Sequence, residues 1–145
     1  GLEQAAVPGQ GSVAASPDTA LAGSYSAAKV TQLRQEGRPV FVNFTAAWCI
    51  SCKVNERIAL ATDGFRDALK RHNIAYLKGD WTNKNDKIAA VLKSFGRAGV
   101  PLYVLYPADP AAKAIVLPQL LTEAIVVNHF ASLAGTDRGP NSRGD

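Results

Sequence analysis

A short apolar run places the strongest constraint on how this chain can fold. Residues 40–44 read Val-Phe-Val-Asn-Phe and are apolar at every position except Asn43. A strand with one face in water alternates apolar and polar residues, whereas a strand covered on both faces is apolar throughout. The run therefore predicts a central strand buried on both sides. With 145 residues, 47% of them hydrophobic, the chain is large enough to bury such a strand within one domain.

Helical and strand patterns alternate around this run. Helices are predicted at residues 26–37, 49–60, 62–72, 85–96 and 122–135, and further strands at residues 74–77, 102–106 and 114–117. Capping residues and glycines set several helix ends, namely Ser26, Asn85 and Thr122 at starts and Gly37, Gly96 and Gly135 at stops. The alternation predicts an α/β layer fold. Its closing order of helix, strand, strand and helix requires an antiparallel pair at one edge of the sheet.

The two ends of the chain differ in composition from the middle. Residues 1–24 are mainly Ala, Gly, Ser, Pro and Gln without Lys or Arg, which is typical of a flexible linker. Residues 136–145 predict a disordered tail, which leaves residues 25–135 as the domain. The chain begins with Gly1 and contains no Met, so we expect a processed form or a piece of a larger protein.

Composition and charge exclude several classes of protein. Two cysteines are too few for a disulfide-stapled scaffold or a four-cysteine metal site. The net charge is +4, but the basic residues are scattered singly, which argues against a nucleic-acid partner. No apolar stretch approaches the length of a membrane span.

The chemistry is indicated by Cys49 and Cys52, which flank Ile50-Ser51 where the central strand gives way to a helix. A C-x-x-C pair beside a strand–helix pattern indicates a redox-active disulfide. Unpaired backbone N–H groups at the first helical turn favour a thiolate at Cys49, so Cys49 is the expected nucleophile and Cys52 the resolving thiol. Two alternatives remain: a structural disulfide, although it would close a very short loop, and a zinc site, which needs two more ligands. The two histidines, His72 and His129, are distant in sequence.

Longer stretches around this pair resemble one family. The similarity lies in residues 42–56 (VNFTAAWCISCKVNE), 80–83 (DWTN), 95–103 (FGRAGVPLY) and 117–122 (LPQLLT), and it extends over about residues 25–134. These motifs resemble the C-terminal periplasmic domain of the DsbD/ScsB type of thiol–disulfide interchange proteins. The resemblance implies a thioredoxin fold, with a central mixed sheet flanked by helices, and the activity of a protein-disulfide reductase.

The resemblance also implies partners and a location. Such a domain takes electrons from the transmembrane domain of its own parent protein and passes them to an N-terminal periplasmic domain, which reduces downstream periplasmic proteins. We therefore expect a soluble periplasmic domain of an inner-membrane protein, monomeric as a fragment, with residues 1–24 as the linker from the last membrane helix. Beyond the Cys49–Cys52 disulfide, neither a cofactor nor a metal is expected.

Further site residues are carried over from the same family. Pro101 matches the family's cis-proline, which would leave the Val100 backbone free to pair with a substrate strand. Glu56 matches an acid that relays a proton to or from Cys52; the alternative is a solvated helix glutamate. Trp48 is expected either to flank the disulfide in a partner-docking surface or to pack in the core. Asn43 stands where the family has a second acid, and an amide cannot accept that proton.

Two rival functions remain open at this stage. One is a free-standing periplasmic disulfide reductase or isomerase that acts directly on client proteins. The other is a binding module that keeps the thioredoxin fold without turnover.

Trp81, unlike Trp48, is expected to pack in the core or at its edge.

Overall fold

The apolar run at residues 40–44 forms a strand in the computed structural model, which describes residues 22–137. The strands are Gly23–Ser24 (β1), Val40–Thr45 (β2), Ala75–Asp80 (β3), Leu102–Tyr106 (β4) and Ile115–Val116 (β5). The helices are Ala27–Gln35 (α1), Ile50–Ala59 (α2), Asp63–Arg71 (α3), Asp86–Ser94 (α4) and Glu123–Asp137 (α5). Every predicted helix and strand is therefore present.

The five strands form one mixed sheet in the order β1-β3-β2-β4-β5. The central strand β2 runs parallel to β3 and antiparallel to β4, with Val42 between Leu77 and Val104. β1 pairs in parallel with β3, and β5 pairs in the antiparallel sense with β4. The antiparallel edge pair and the central mixed sheet that the sequence predicts are thus confirmed.

Helices cover both faces of this sheet. On one face, α1 and α4 pack over the even-numbered residues of β2, and the core there includes Val40, Val42, Phe44, Leu33 and Leu92. On the other face, α2, α3 and α5 pack over the odd-numbered residues, where the Phe41 ring meets Phe65 at 6.1 Å and Phe130 at 5.3 Å. Because strand residues alternate between faces, Asn43 lies on the same face as Phe41, toward α2.

The predicted N-caps begin their helices, and two of the predicted glycines follow helix ends. Ser26, Asn85 and Thr122 each accept a hydrogen bond from the backbone N–H three residues later, at 3.0, 2.9 and 3.1 Å. These bonds satisfy donors that the first helical turn leaves unpaired. Gly37 and Gly96, just past α1 and α4, have φ values of +84° and +75°, which glycine adopts without steric cost.

Element ends differ from the prediction in three places. β3 continues past residue 77 to Asp80. Gly79 pairs with Phe44 of β2, and a glycine fits there because a Cβ would meet the Phe44 ring at 2.6 Å. The last helix runs past Gly135 to Asp137. Gly23–Ser24, at the end of the expected linker, pair with β3 as an edge strand. The rest of the 1–24 linker and of the 136–145 tail lies outside the described residues, save for the last turn of α5.

Candidate active site

The two cysteines lie where β2 gives way to α2. Cys49 is the N-cap of α2, and its Sγ accepts a hydrogen bond from the backbone N–H of Cys52 at 3.2 Å. The two side chains form a disulfide with their Cα atoms 5.3 Å apart. Since the first turn of a helix favours negative charge, the Cys49 sulfur lies where a thiolate is stabilised once the disulfide opens.

The two sulfur-bearing residues differ in access to solvent. Cys49 keeps 7% of its surface exposed, whereas Cys52 is completely buried. The Ser51 hydroxyl lies 3.6 Å from the Cys49 sulfur. Cys49 is therefore the more exposed of the two residues. The roles of nucleophile and resolving thiol stay predictions.

Val100 and Pro101 lie beside the disulfide, just before β4. The peptide bond between them is cis, the isomer that the family resemblance implies. The Val100 side chain packs against a small buried cluster formed by Ala46, Cys49 and Cys52. The structure thus brings both residues to the disulfide, and their contact with a partner strand stays a prediction.

The loop before the first cysteine is held by the segment that follows β3. The Ala47 N–H donates to the Thr82 hydroxyl at 2.8 Å, and the Trp48 indole N–H donates to the Thr82 carbonyl at 3.0 Å. Thr82 also donates to Asp80, and these bonds from its side chain and backbone hold the pKa of Asp80 below its usual value. The sequence gives no separate signal for the role of Thr82, since a lone threonine in a loop does not indicate this contact.

Trp48 lies at the surface and Trp81 in the core. The side chain of Trp48 is 49% exposed, so core packing is excluded for it, and Lys84 Nζ lies 5.1 Å from its ring centroid. Trp81 is buried, 6.1 Å from Trp48 between ring centroids, as expected for a packing residue. Of the two, Trp48, which directly precedes Cys49 in the sequence, is therefore the one that a partner could contact.

The predicted acid, Glu56, lies one helical turn after Cys52 and is buried with 8% exposure. Its Oε2 accepts a hydrogen bond at 3.1 Å from Nδ2 of Asn43, which is itself completely buried. The same Nδ2 also contacts the Tyr76 hydroxyl at 3.2 Å. The alternative of a solvated glutamate is therefore wrong for this residue. Sequence spacing alone did not show that Asn43 and Glu56 touch, because the contact joins a strand to a helix.

Asn55 is a structural residue that sequence reasoning missed. It is buried, and its Nδ2 donates to the Tyr103 hydroxyl at 2.9 Å and to the Gln119 carbonyl at 2.7 Å. Its Oδ1 accepts from the Leu121 N–H at 3.1 Å. These bonds fasten α2 to β4 and to the segment that leads into α5. The resemblance covered both segments, but nothing in their sequence indicated the bonds between them.

Metal binding and membrane insertion find no support within residues 22–137. No group of three or more His, Cys, Asp or Glu side chains in this range could hold a metal ion. None of the helices described combines the length and apolarity that crossing a bilayer requires.

The fold and the disulfide together define a class of protein. A mixed sheet between helices, with a C-x-x-C disulfide at the start of the helix after the central strand, is the arrangement of thiol–disulfide oxidoreductases. The disulfide between Cys49, which is 7% exposed, and the completely buried Cys52 places the chain in this class.

Comparison with known proteins identifies the family. A model of a family described as thioredoxin-like matches residues 20–108, and the chain belongs to this family. The thiol:disulfide interchange protein DsbD of Ralstonia nicotianae is 36% identical over 73 residues, which make up 50% of this chain and 12% of that protein. DsbD 1 of Pseudomonas aeruginosa is 32% identical over 79 residues, which make up 54% of this chain and 13% of that protein. The chain therefore matches about an eighth of the length of these relatives.

A solved structure supports the same fold. The C-terminal domain of Neisseria meningitidis DsbD in its oxidised form superposes with a TM-score of 0.59 at 20% identity, covering 77% of this chain and 97% of that one. The predicted thioredoxin fold is confirmed. The predicted resemblance to a DsbD-type thioredoxin-like domain is likewise confirmed by these relatives.

Proposed function

We propose that this domain relays two electrons by thiol–disulfide exchange in the bacterial periplasm. It accepts them from a transmembrane domain of its parent protein and passes them to an N-terminal periplasmic domain. The similarity to DsbD proteins supports the relay, since they are named for thiol:disulfide interchange. The observation that carries the proposal is the Cys49–Cys52 disulfide at the start of α2, in which Cys49 is 7% exposed and its sulfur accepts the Cys52 N–H bond.

The exchange runs in two balanced steps. In the reduced domain, the Cys49 thiolate attacks a sulfur of the partner disulfide, forming a mixed disulfide and releasing the other partner sulfur as a thiolate. Cys52 then loses its proton and attacks the Cys49 sulfur, which closes the intramolecular disulfide and releases the second partner sulfur. The domain is oxidised by two electrons and the partner is reduced by two. The burial of Cys52 supports this order, because it limits the first attack to Cys49.

Glu56 takes the proton of Cys52 in the second step. A thiol that must act near neutral pH reacts faster when a positioned base accepts its proton. The position of Glu56 supports this role. It is buried on the same helix, four residues after Cys52, and residues four apart share a helix face.

The surface around Cys49 receives the partner. We assign partner docking to Trp48, the exposed residue before Cys49, and to the Val100–Pro101 segment, whose Val100 side chain packs against the two cysteines. Residues 1–24 would connect the domain to the last membrane helix, residues 25–135 would be the domain, and the predicted tail would begin after α5 instead of at residue 136. The Gly23–Ser24 pairing with β3 would then begin the domain two residues earlier.

Trapping a mixed disulfide tests the roles of the two cysteines. A Cys52→Ser variant should accumulate a disulfide-linked complex with an N-terminal DsbD-type domain, because the second step cannot occur. A Cys49→Ser variant, which keeps the buried thiol, should trap less than about a tenth as much, since Cys52 is inaccessible. The complex is measured on non-reducing gels and by intact mass.

The results that would contradict the proposal are specific. Equal trapping by both variants would overturn the assignment of Cys49 as nucleophile. A wild-type chain that reduces insulin but never exchanges with the N-terminal domain would instead favour a free-standing reductase. If the chain exchanges with no disulfide at all, the remaining candidate function is a binding module without turnover.

A further inference from the structure

The buried contact between Asn43 and Glu56 joins the central strand to the helix that carries the cysteines. Asn43 Nδ2 donates to Glu56 Oε2 at 3.1 Å and lies 3.2 Å from the Tyr76 hydroxyl. An amide nitrogen carries two hydrogens, so both donors of Asn43 have a neighbour. A carboxylate this deeply buried needs such donors, because burial without them disfavours its charge.

The two oxygens of Glu56 differ in their surroundings. Oε2 is held by Asn43, whereas Oε1 lies 3.7 Å from Lys53 Nζ, on a side chain that is 48% exposed. The lysine can move into water, but the buried amide cannot leave its oxygen. Oε1 is therefore the oxygen that is open to a proton. Lys53 of α2 pairs with this carboxylate, Tyr76 of β3 is linked to it through Asn43, and Cys52 lies one turn earlier on the same helix.

The other end of the Asn43 amide shows that packing alone does not explain this residue. Among the described residues, no hydrogen-bond donor reaches the buried Asn43 Oδ1. A buried carbonyl without a partner is destabilising, and an apolar side chain of similar size would avoid that penalty. The amide at this position is therefore useful for its donors, which face Glu56 and Tyr76.

A carboxylate in place of Asn43 would act in the opposite way. Two carboxyl groups in contact cannot both ionise in a buried site, so they share a proton and titrate as a pair. An amide donates in either state of Glu56 and takes no proton itself. Asn43 thus leaves the site with one proton acceptor instead of two coupled ones.

We propose that Asn43 is a positioning residue that holds Glu56 Oε2 and presents Oε1 as the acceptor of the Cys52 proton. This rests on the proton transfer in the proposed function. In that step the Cys52 S–H bond breaks and its proton moves to Oε1. The sulfur electron pair forms the bond to Cys49 while the bond between Cys49 and the partner sulfur breaks, and the partner sulfur leaves as a thiolate.

A pH titration by NMR tests the contact in the oxidised chain, where no thiol titrates and no partner is needed. The probes are the ¹³C signal of the Glu56 carboxyl carbon and the ¹⁵N and ¹H signals of the Asn43 side-chain amide. We expect the Asn43 signals to shift with the same midpoint as Glu56. The Asn55 amide is the internal control, because it donates to Tyr103 and Gln119 and not to a carboxylate.

An Asn43→Asp variant sharpens the test. We expect the Glu56 signal to titrate in two steps, with its upper midpoint about one pH unit or more above that of the wild type. An Asn43→Leu variant should raise the midpoint in a single step, because the donor is lost without a second acid. Lys53→Gln is the matched control, and we expect a shift below about 0.3 unit because the Lys53 side chain is 48% exposed and its charge is screened by water.

Two kinds of failure are distinguishable. The role of Asn43 would be overturned if its amide signals did not follow the Glu56 midpoint, or if that midpoint were unchanged in both Asn43 variants. The wild-type titration gives this answer even if a variant does not fold. A Glu56→Gln variant that closes its disulfide at the wild-type rate between about pH 5 and 8 would overturn proton transfer by Glu56, and the proposal with it. Both roles are supported if the rate of disulfide closure depends on Glu56 and if the acid limb of its pH profile moves to higher pH in the Asn43→Asp variant.

Discussion

The residues between the cysteines set the redox potential of the disulfide. A group that stabilises the Cys49 thiolate favours the reduced form and makes the disulfide a stronger oxidant. Near Cys49 the structure provides the Cys52 N–H at 3.2 Å and the Ser51 hydroxyl at 3.6 Å, and both are neutral. Ile50 is 80% exposed and carries no charge to add to them.

We therefore predict a reducing potential of about −200 to −270 mV, in the range of glutaredoxins and thioredoxin. Equilibration with glutathione buffers or a reference thioredoxin measures it. An Ile50→His variant should shift the potential upward, because an imidazolium next to Cys49 would stabilise the thiolate. Ile50→Ala is the control and should leave it nearly unchanged. A wild-type value near about −120 mV would be that of an oxidase and would contradict this account.

At the scale of elements, the position of α2 depends on one buried amide. Asn55 bonds to Tyr103 of β4 and to Gln119 and Leu121 in the segment before α5. Because α2 carries both cysteines and Glu56, these bonds also fix the site relative to β4, which begins next to Val100–Pro101. Cys52, Asn55 and Glu56 are all buried, so one face of α2 holds both the chemistry and its attachment.

We predict that Asn55→Ala lowers the free energy of unfolding by about 2–4 kcal/mol, because it leaves buried backbone donors and acceptors without partners. Urea unfolding of the oxidised chain, followed by circular dichroism, measures this change. Asn83→Ala is the matched control, since Asn83 is exposed, and its effect should stay within about 0.5 kcal/mol. Equal effects of the two substitutions would show that the Asn55 bonds contribute little.

Elements with a strong local signal could be predicted from the sequence. The apolar β2 run and the caps Ser26 and Asn85 depend on neighbouring residues alone, and all appear where expected. β1 and the end of β3 could not be predicted in this way. Gly23–Ser24 and Gly79 have no side-chain pattern, and only pairing with a distant strand makes them part of the sheet.

The candidate site likewise has features that local sequence predicts and features that depend on distant contacts. The positions of Cys49 and Cys52 at a strand-to-helix junction follow from local sequence, and the resemblance brought Glu56, Val100 and Pro101 to the same region. The bonds from Asn43 to Glu56 and from Asn55 to Gln119 could not be predicted, because they join residues 13 and 64 positions apart. Such contacts depend on how α2 packs against the sheet.

At the scale of the whole molecule, most of the exposed large apolar residues within residues 22–137 lie on or next to the active-site helix. Ile50, Val54 and Ile58 are 80%, 44% and 49% exposed, and their spacing of four residues places them along one face of α2. Trp48, at the start of this row, is also half exposed. A protein that reaches Cys49 can cover this row, which a small disulfide cannot do.

We predict that Val54→Ser and Ile58→Ser each slow exchange with a protein partner by about fivefold, since each loses about 1 kcal/mol of apolar burial in the complex. Stopped-flow kinetics measures the rate with the N-terminal domain and, for comparison, with a small-molecule disulfide, which should react at the wild-type rate. Val116→Ser is the control, because Val116 is similarly exposed but lies on the edge strand β5. Unchanged rates with the protein partner would mean that this row stays uncovered.

The Cys49–Cys52 disulfide contains all the sulfur in these 145 residues, since the sequence has two cysteines and no methionine. Internal scrambling into a wrong pairing is impossible without a third thiol. Peroxide and other oxidants likewise find no thioether elsewhere in the chain to convert to a sulfoxide. Oxidative damage to sulfur in these residues is thus confined to one place, and any disulfide-linked dimer must form through Cys49 or Cys52.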